Sequence, residues 1–296
     1  MTANRLDPRL FQIAVLAGLL TFGLTALDFD LTVVQVAVTL GVAVGAQLTC
    51  GRIAGLRGDT GSRSALISGL SLCLLLRTDV LLTAAAAAAF AIGSKFVLRV
   101  GGKHLLNPTN GAIVCLLALS TAAPGLELFV WVSPGQWGNT AFFLLLMGCL
   151  GTVVVTRAAR ADVTFAFLAS WAGLLLFRAW SLGDPLAIPL HRLQNGALLL
   201  FAFFMISDPK TTPDSRPGRV LFGVLVALGA YYVQFKLFHT NGLLWSLAAC
   251  SLLVPLIDWL APGTRYAWTG RPTLESTHET PPAVHRPAGA VRPAAF

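Results

Sequence analysis

Long apolar runs, punctuated by short clusters of charged and turn residues, organise this chain. Between the punctuation, ten segments are apolar enough to predict membrane spans, centred on residues 10–27, 31–49, 65–76, 80–98, 111–124, 139–156, 163–177, 197–206, 220–235 and 243–260. A span needs about 20 mainly apolar residues to cross a hydrocarbon core roughly 30 Å thick. Spans three and eight are shorter, and each ends in a polar break: Arg77-Thr78-Asp79 after the third, Ser207-Asp208-Pro209 after the eighth. The first run is followed by Asp28 and Asp30 without a small-residue cleavage site, so it reads as a retained helix and not a signal peptide.

Composition agrees with the pattern. Of 296 residues, 55% are hydrophobic and 11% charged, against about 25% charged in a soluble domain. A charge at the bilayer centre costs about 2.5–3.5 kcal/mol on insertion scales, and nearly all charges here fall at predicted span ends. The expected fold class is therefore an all-α polytopic membrane protein, with a transmembrane domain over residues 1–261 and a disordered Pro-rich tail over 262–296. Ten spans divide into halves of about 1–125 and 126–261, and five being odd, the second half would be inverted. Thr109-Asn110-Gly111 ahead of span five is matched by Thr240-Asn241-Gly242 ahead of span ten, and the two short spans hold equivalent places. Such paired short spans point to a central binding region in inverted-repeat membrane folds.

Orientation follows from Lys and Arg, which are in excess on cytoplasmic loops. With the N-terminus inside, 17 of the 21 basic residues fall on the inner side and four (Arg77, Arg178, Arg192, Lys236) on the outer. Both termini are thus expected in the cytoplasm. The net charge of +8 is then a topology signal facing anionic lipid, the bilayer being the partner it implies, and calls for no nucleic acid.

Soluble-enzyme chemistry has no foothold. The five cysteines are dispersed without CxxC spacing and read as small buried residues; the five histidines are scattered, which predicts no metal site. Gly101-Gly102 lacks the third glycine and preceding strand of a dinucleotide fingerprint, and the alanine run 84–89 reads as a helix-packing face.

The polar breaks carry the candidate chemistry. Pro209 restrains Asp208 away from helix, so span eight should break there, with the Asp208 carboxylate capping the next turn. Ser207, Lys210 and Thr211 flank it. Asn107, Thr109 and Asn110 form a second break ahead of span five, able to cap a helix or to bind an anionic group at its N-terminus. Lys95, near the inner end of span four, is placed to snorkel toward headgroups or to join a site. Arg77, Asp79 and Asp208 form a candidate polar path, the two carboxylates marking opposite entrances. Trp131, Trp137 and Trp180 read as an aromatic belt and Trp171 as helix packing, all four being possible stacking surfaces for a ring.

Two segments, SKFVLRVGGKHLLNPTNGAIV at 94–114 and FFMISDPKTTPDSRPGR at 203–219, resemble signature blocks of the family that contains the Rnf complex D subunit and the B subunit of the sodium-pumping NADH:quinone reductase. The resemblance extends to a stand-alone, UnbU-like branch associated with enediyne biosynthesis. It implies a bacterial inner-membrane protein with ten helices in two inverted halves, working in electron transfer with redox partner proteins. It also implies a flavin (FMN or riboflavin) or quinone, for which Lys95, Asn107, Thr109, Asn110, Ser207, Asp208, Lys210 and Thr211 at the two polar breaks are the candidate binding residues. Covalent FMN is not expected, because the family's Ser-Gly-Ala-Thr type acceptor motif is replaced by Ser120-Thr121-Ala122-Ala123-Pro124-Gly125, which makes Thr121 a poor acceptor. The other reading is a solute or ion channel or transporter on the same scaffold.

The charge split makes a direct prediction. Topology reporters fused at Phe296 and within the 126–138 loop should report opposite sides of the membrane, and matching sidedness would overturn the ten-span reading.

Overall fold

The computed structural model describes residues 7–55, 61–126, 128–133 and 140–266. Trp137, the basic residues Arg5 and Arg57, and the tail from Ala267 onward lie outside that set.

Where the sequence supplies a cap, a helix begins. Asp7 opens α1 (Pro8–Ala26) by accepting from Arg9 N, and Thr32 opens α2 (Val33–Ile53) by accepting from Gln35 N. Next come α3 (Ser62–Leu75), α4 (Leu81–Val97) and α5 (Pro108–Ala122), the last capped by Asn107 with proline at its first position, where the missing N–H costs nothing. The later helices are α6 (Thr140–Arg157), α7 (Ala161–Leu182), the short α8 (Ala187–Leu193), α9 (Gly196–Leu200), α10 (Arg216–Phe235), α11 (Gly242–Ser251) and α12 (Val254–Leu260).

By length and composition, α1, α2, α7 and α10 can each cross a membrane alone, and the α11–α12 pair, bent by 50°, makes a fifth candidate. The remaining apolar helices, α6 being counted over Leu146–Arg157, run 10–17 residues. Sequence periodicity predicted one unbroken tenth span. Pro255 ends that continuity, because it lies near the start of α12 and its ring cannot follow an unbroken helical turn.

Both predicted breaks are present, and they are built differently. After α3 the chain becomes extended in β1 (Leu76–Thr78), which pairs antiparallel with β4 (Val130–Val132), Arg77 standing opposite Trp131. Gln35 Nε2 donates to Thr78 O at 3.2 Å, so a helix side chain closes the strand's end. A second small hairpin, β2 (Arg99–Val100) with β3 (Lys103–His104), turns at Gly101 and Gly102, both at positive φ. At the later break α9 widens into a π-helical segment, Phe201–Met205, before the chain leaves helix at Ile206. Such widened turns release backbone groups and cluster at functional sites.

Small residues set the main packing seams: α2 packs on α4 and α7 on α10, α4 on α5 and α10 on α11, α1 on α3 and α6 on α9. The alanine run offers Ala84, Ala87, Ala88 and, one turn on, Ala91 as a buried face. On α10, a Cβ at Gly223 would stand 2.9 Å from Val163 O and 3.0 Å from Phe167 N, so only glycine lets the α7 and α10 backbones approach this closely. The outward faces carry Leu82, Trp180 and Trp259, each more than three-quarters exposed, a pattern suited to lipid.

The α7–α10 seam gives a stability test. Gly223→Val should separate the two backbones and cost about 1–3 kcal/mol or more, read as a lowered melting temperature in detergent. Gly173→Ala, where a Cβ meets nothing within 4 Å, should leave the melt unchanged or raise it by the helix-propensity gain of about 0.5–1 kcal/mol.

Candidate functional site

The start of α5 and the loop after the π-helical segment meet through one side chain. Asn107 Oδ1 accepts from Asn110 N at 3.1 Å, capping α5, while its Nδ2 donates to Met205 O and to Asp208 Oδ2, each at 3.3 Å. Asp208 Oδ1 accepts from Lys210 N at 3.0 Å, as expected of a residue that caps the turn after a break. The Asp208 carbonyl accepts the N–H and hydroxyl groups of Thr211 and Thr212, and the Ser207 hydroxyl donates back to Phe203 O at 2.6 Å. Two segments about 100 residues apart in sequence thus form one polar centre.

Lys95 belongs to the same centre. Instead of snorkelling outward it is 5% exposed, and Nζ donates to Ser64 O at 3.0 Å and Ser64 Oγ at 3.1 Å, within electrostatic reach of Asp208. Thr109 Oγ1 donates to Ser68 O at 3.3 Å, tying α5 to α3. Asn110 is fully buried; its Nδ2 donates to Leu244 O at 3.2 Å, and its Oδ1 has no partner among the described residues. Through that bond the first Thr-Asn-Gly helix start meets the first turn of α11, which follows the second.

Burial pushes the Asp208 carboxyl above the usual carboxylate range, although the residue keeps a partial opening to solvent. The Lys210 N–H and the cations Lys95, Lys210 and Arg160 oppose that rise. His104 is pushed down to about 3 by burial and by Arg99, Lys95 and Lys210, so its imidazole is neutral. Burial thus disfavours the charged form of Asp208, and the surrounding cations offset that cost in part.

Several residues here had no local sequence signal, because their charges looked like topology determinants. Lys103, on β3, donates to Thr212 O and Asp258 Oδ2, both at 2.7 Å, and stands 3.1 Å from Asp214 Oδ1. Asp258 Oδ1 accepts from Asp214 N at 2.7 Å, so this one buried lysine ties the hairpin, the 208–215 loop and α12 together. Arg160 is 3% exposed; Nε donates to Thr212 Oγ1 at 3.0 Å, the guanidinium lies 4.9 Å from the Tyr266 ring, and one terminal nitrogen has no partner among the described residues. Thr164 Oγ1 donates to Ala202 O at 2.9 Å, taking up a carbonyl in the π-helical segment.

Across Met205 and Leu244 from this centre, a cavity of about 300 Å³ opens toward the opposite face. Its walls include Leu75 and Ser133 beside the β1–β4 pair, Phe201 and Met205 of the widened helix, Trp171, and Asn241 at the start of α11. Trp171 is 3% exposed and stacks on Phe235, whose ring also carries Arg178 at 4.5 Å and Arg192 at 5.0 Å. The indole predicted to serve helix packing therefore also lines the cavity. Arg77 is buried behind it, donating to Cys73 O at 2.9 Å and reaching Ser133 Oγ at 3.5 Å, over the Phe29 ring. Asp79 is exposed and makes no hydrogen bond to the Asp208 centre among the described residues, so the structure does not join the two carboxylates. Trp131 and Trp180 are exposed, and the Thr121 hydroxyl donates into its own helix at Leu117 O.

Residues 119–266, half of the chain, match the NQR2, RnfD, RnfE family. Among curated proteins, the D subunit of an ion-translocating oxidoreductase complex from Erwinia tasmaniensis is 34% identical over 125 residues, 42% of this chain and 34% of that protein. Its namesake from Shewanella amazonensis is 28% identical over 198 residues, 65% of this chain and 54% of the relative; the one from Escherichia coli O45:K1 is 33% identical over 125 residues, 42% of this chain and 34% of that protein. The matches thus span between a third and about half of these relatives' own length. The Asp208 loop lies inside the family match and the Asn107 cap before it, joined by the hydrogen bond between them. With its apolar helices and this match, the chain is a multi-pass membrane protein and belongs to the NQR2, RnfD, RnfE family.

Proposed function

We propose that the chain works in membrane electron transfer, holding a non-covalent flavin or a quinone between its two broken helices. The observation that carries this reading is the cavity of about 300 Å³ bounded by both breaks, with Trp171 on its wall and the Asn107–Asp208 pair behind Met205. Its size and its mixture of aromatic, apolar and amide groups with one cation, Arg192, suit a planar ring with polar edges. The cofactor supplies the one- or two-electron chemistry; the protein supplies position, dryness and field. Trp171 and Phe201 offer ring faces, Asn241 and Ser133 offer hydrogen bonds, and the cations around Asp208 favour the more negative state of a nearby ring.

The matching seams α2–α4 with α7–α10 and α4–α5 with α10–α11 support ten spans in an inverted five-plus-five arrangement. Basic residues gathered on the Asp208 face support termini in the cytoplasm and a place in the bacterial inner membrane. The relatives' names speak of a complex, and redox partner proteins are part of the proposal. A solute or ion path is the second reading, favoured by the fully buried Asn110 Oδ1, without a partner among the described residues, which lies between the cavity and the Asp208 centre.

The test is binding followed by substitution. The purified protein should bind riboflavin, FMN or a short-chain quinone, with Trp fluorescence quenched on addition. Intact mass after denaturation should show no added flavin, and Trp171→Ala should weaken binding about tenfold, or 1.4 kcal/mol. A protein that binds none of these but moves solute into vesicles would replace this reading by the channel.

Asp208→Asn separates tuning from folding. An amide at 208 has one acceptor oxygen where the carboxylate has two, so it can serve Asn107 Nδ2 or Lys210 N but not both, and about 1–3 kcal/mol of stability should be lost. Cofactor affinity or potential should change in Asp208→Asn beyond what the melt accounts for; unchanged binding and potential would remove Asp208 from the site.

A further inference from the structure

We propose that the groove between α1 and α6 binds one anionic phospholipid, its acyl chain along the groove and its phosphate at Arg157. The two helices meet yet leave a space of about 450 Å³, lined by Ala14, Val15, Gly18 and Phe22 of α1 and Leu146 and Leu150 of α6. Every one of these side chains is apolar, so the described residues of the groove offer nothing to water or to a polar ligand. Ala14, Gly18 and Phe22 recur every four residues along one stripe of α1. Glycine and alanine there keep the stripe shallow enough for a chain to lie along it.

A cation marks one end of the groove. Arg157 closes α6 two turns beyond Leu150, and its guanidinium sits 5.1 Å from the Phe11 ring, one turn of α1 from Ala14 and Val15. It has no carboxylate partner among the described residues. The nearby Asp7 carboxylate is already held by Arg9 and Arg63 at 2.7 and 2.8 Å. The Phe11 ring orients the Arg157 guanidinium without satisfying its hydrogen bonds, which leaves its N–H fork for a phosphate, a bidentate pairing that guanidinium geometry favours. An acyl chain with a phosphate at one end matches this arrangement of apolar length and terminal charge, in the leaflet on the Asp208 face. A packed helix of a second copy would satisfy the groove but not the cation.

Native mass spectrometry of the full chain, delipidated and then supplied with phosphatidylglycerol or phosphatidylcholine, tests the proposal. One phosphatidylglycerol should stay bound under activation that strips phosphatidylcholine. Arg157→Gln should weaken phosphatidylglycerol retention about tenfold, and Arg157→Lys should recover part of it. Gly18→Leu should fill the groove and abolish retention without lowering the melting temperature, because a Cβ at Gly18 meets nothing within 4 Å. Should that variant not accumulate, the two Arg157 variants decide alone. Equal retention of both lipids, retention unchanged in Arg157→Gln or Gly18→Leu, or a dimer that Gly18→Leu dissociates would each overturn the assignment.

Discussion

Every backbone N–H and C=O that leaves a helix inside an apolar protein must find a partner, and that demand governs this fold. Two of the helix breaks among the described residues fall in the interior beside the candidate site, after Leu75 and after Met205. At the first break a borrowed strand, β4, takes the ladder bonds and Gln35 takes the Thr78 carbonyl. At the second, Asn107 takes the Met205 carbonyl and Thr164 the Ala202 carbonyl, while the Asp208 turn satisfies the residues that follow. The polar side chains of the candidate site are therefore present first because the backbone requires them. Function can be built on that arrangement since a break closed by side chains retains directed polar groups in a dry interior.

The same economy explains the buried cations. Lys95 ends on the backbone and hydroxyl of Ser64, and Lys103 on Thr212 O with two carboxylates. A buried ammonium left unpaired is strongly destabilising, whereas a paired one roughly balances its own desolvation. These lysines thus stabilise little beyond neutrality, and what they provide is registry: Lys95 fixes α4 against α3, and Lys103 fixes the β2–β3 hairpin against the 208–215 loop and α12. The field of Lys95 also bears on Asp208, so structural pairing and electrostatic tuning are not separable roles on this face.

Much of the architecture was legible. The apolar runs located the longer helices within a few residues but gave no sign of α8; Pro108 and Pro209 marked a start and a stop, and the alanine run located a packing face. The segments around Asn107 and Asp208 were each recognisable as polar breaks. Their meeting was not, since nothing local in either says that Asn107 Nδ2 reaches Asp208 across 101 positions. Lys95 was open to two readings because a lysine at a helix end looks the same whether its stem runs outward or inward.

The sequence by itself determined what depends on spacing along the chain: which stretches prefer lipid, where helices must stop, and where the basic residues cluster. Tertiary structure decided what depends on meetings between distant stretches. It turned Lys95 inward, recruited Lys103 and Arg160 from apparent topology charges into buried links, placed Trp171 on a cavity wall, and left Asp79 outside the centre that Asp208 occupies. The physical reason is that transfer to an apolar phase is nearly additive over a local run of residues. The worth of a buried polar group, by contrast, is set by the partner that the rest of the fold brings within about 3 Å.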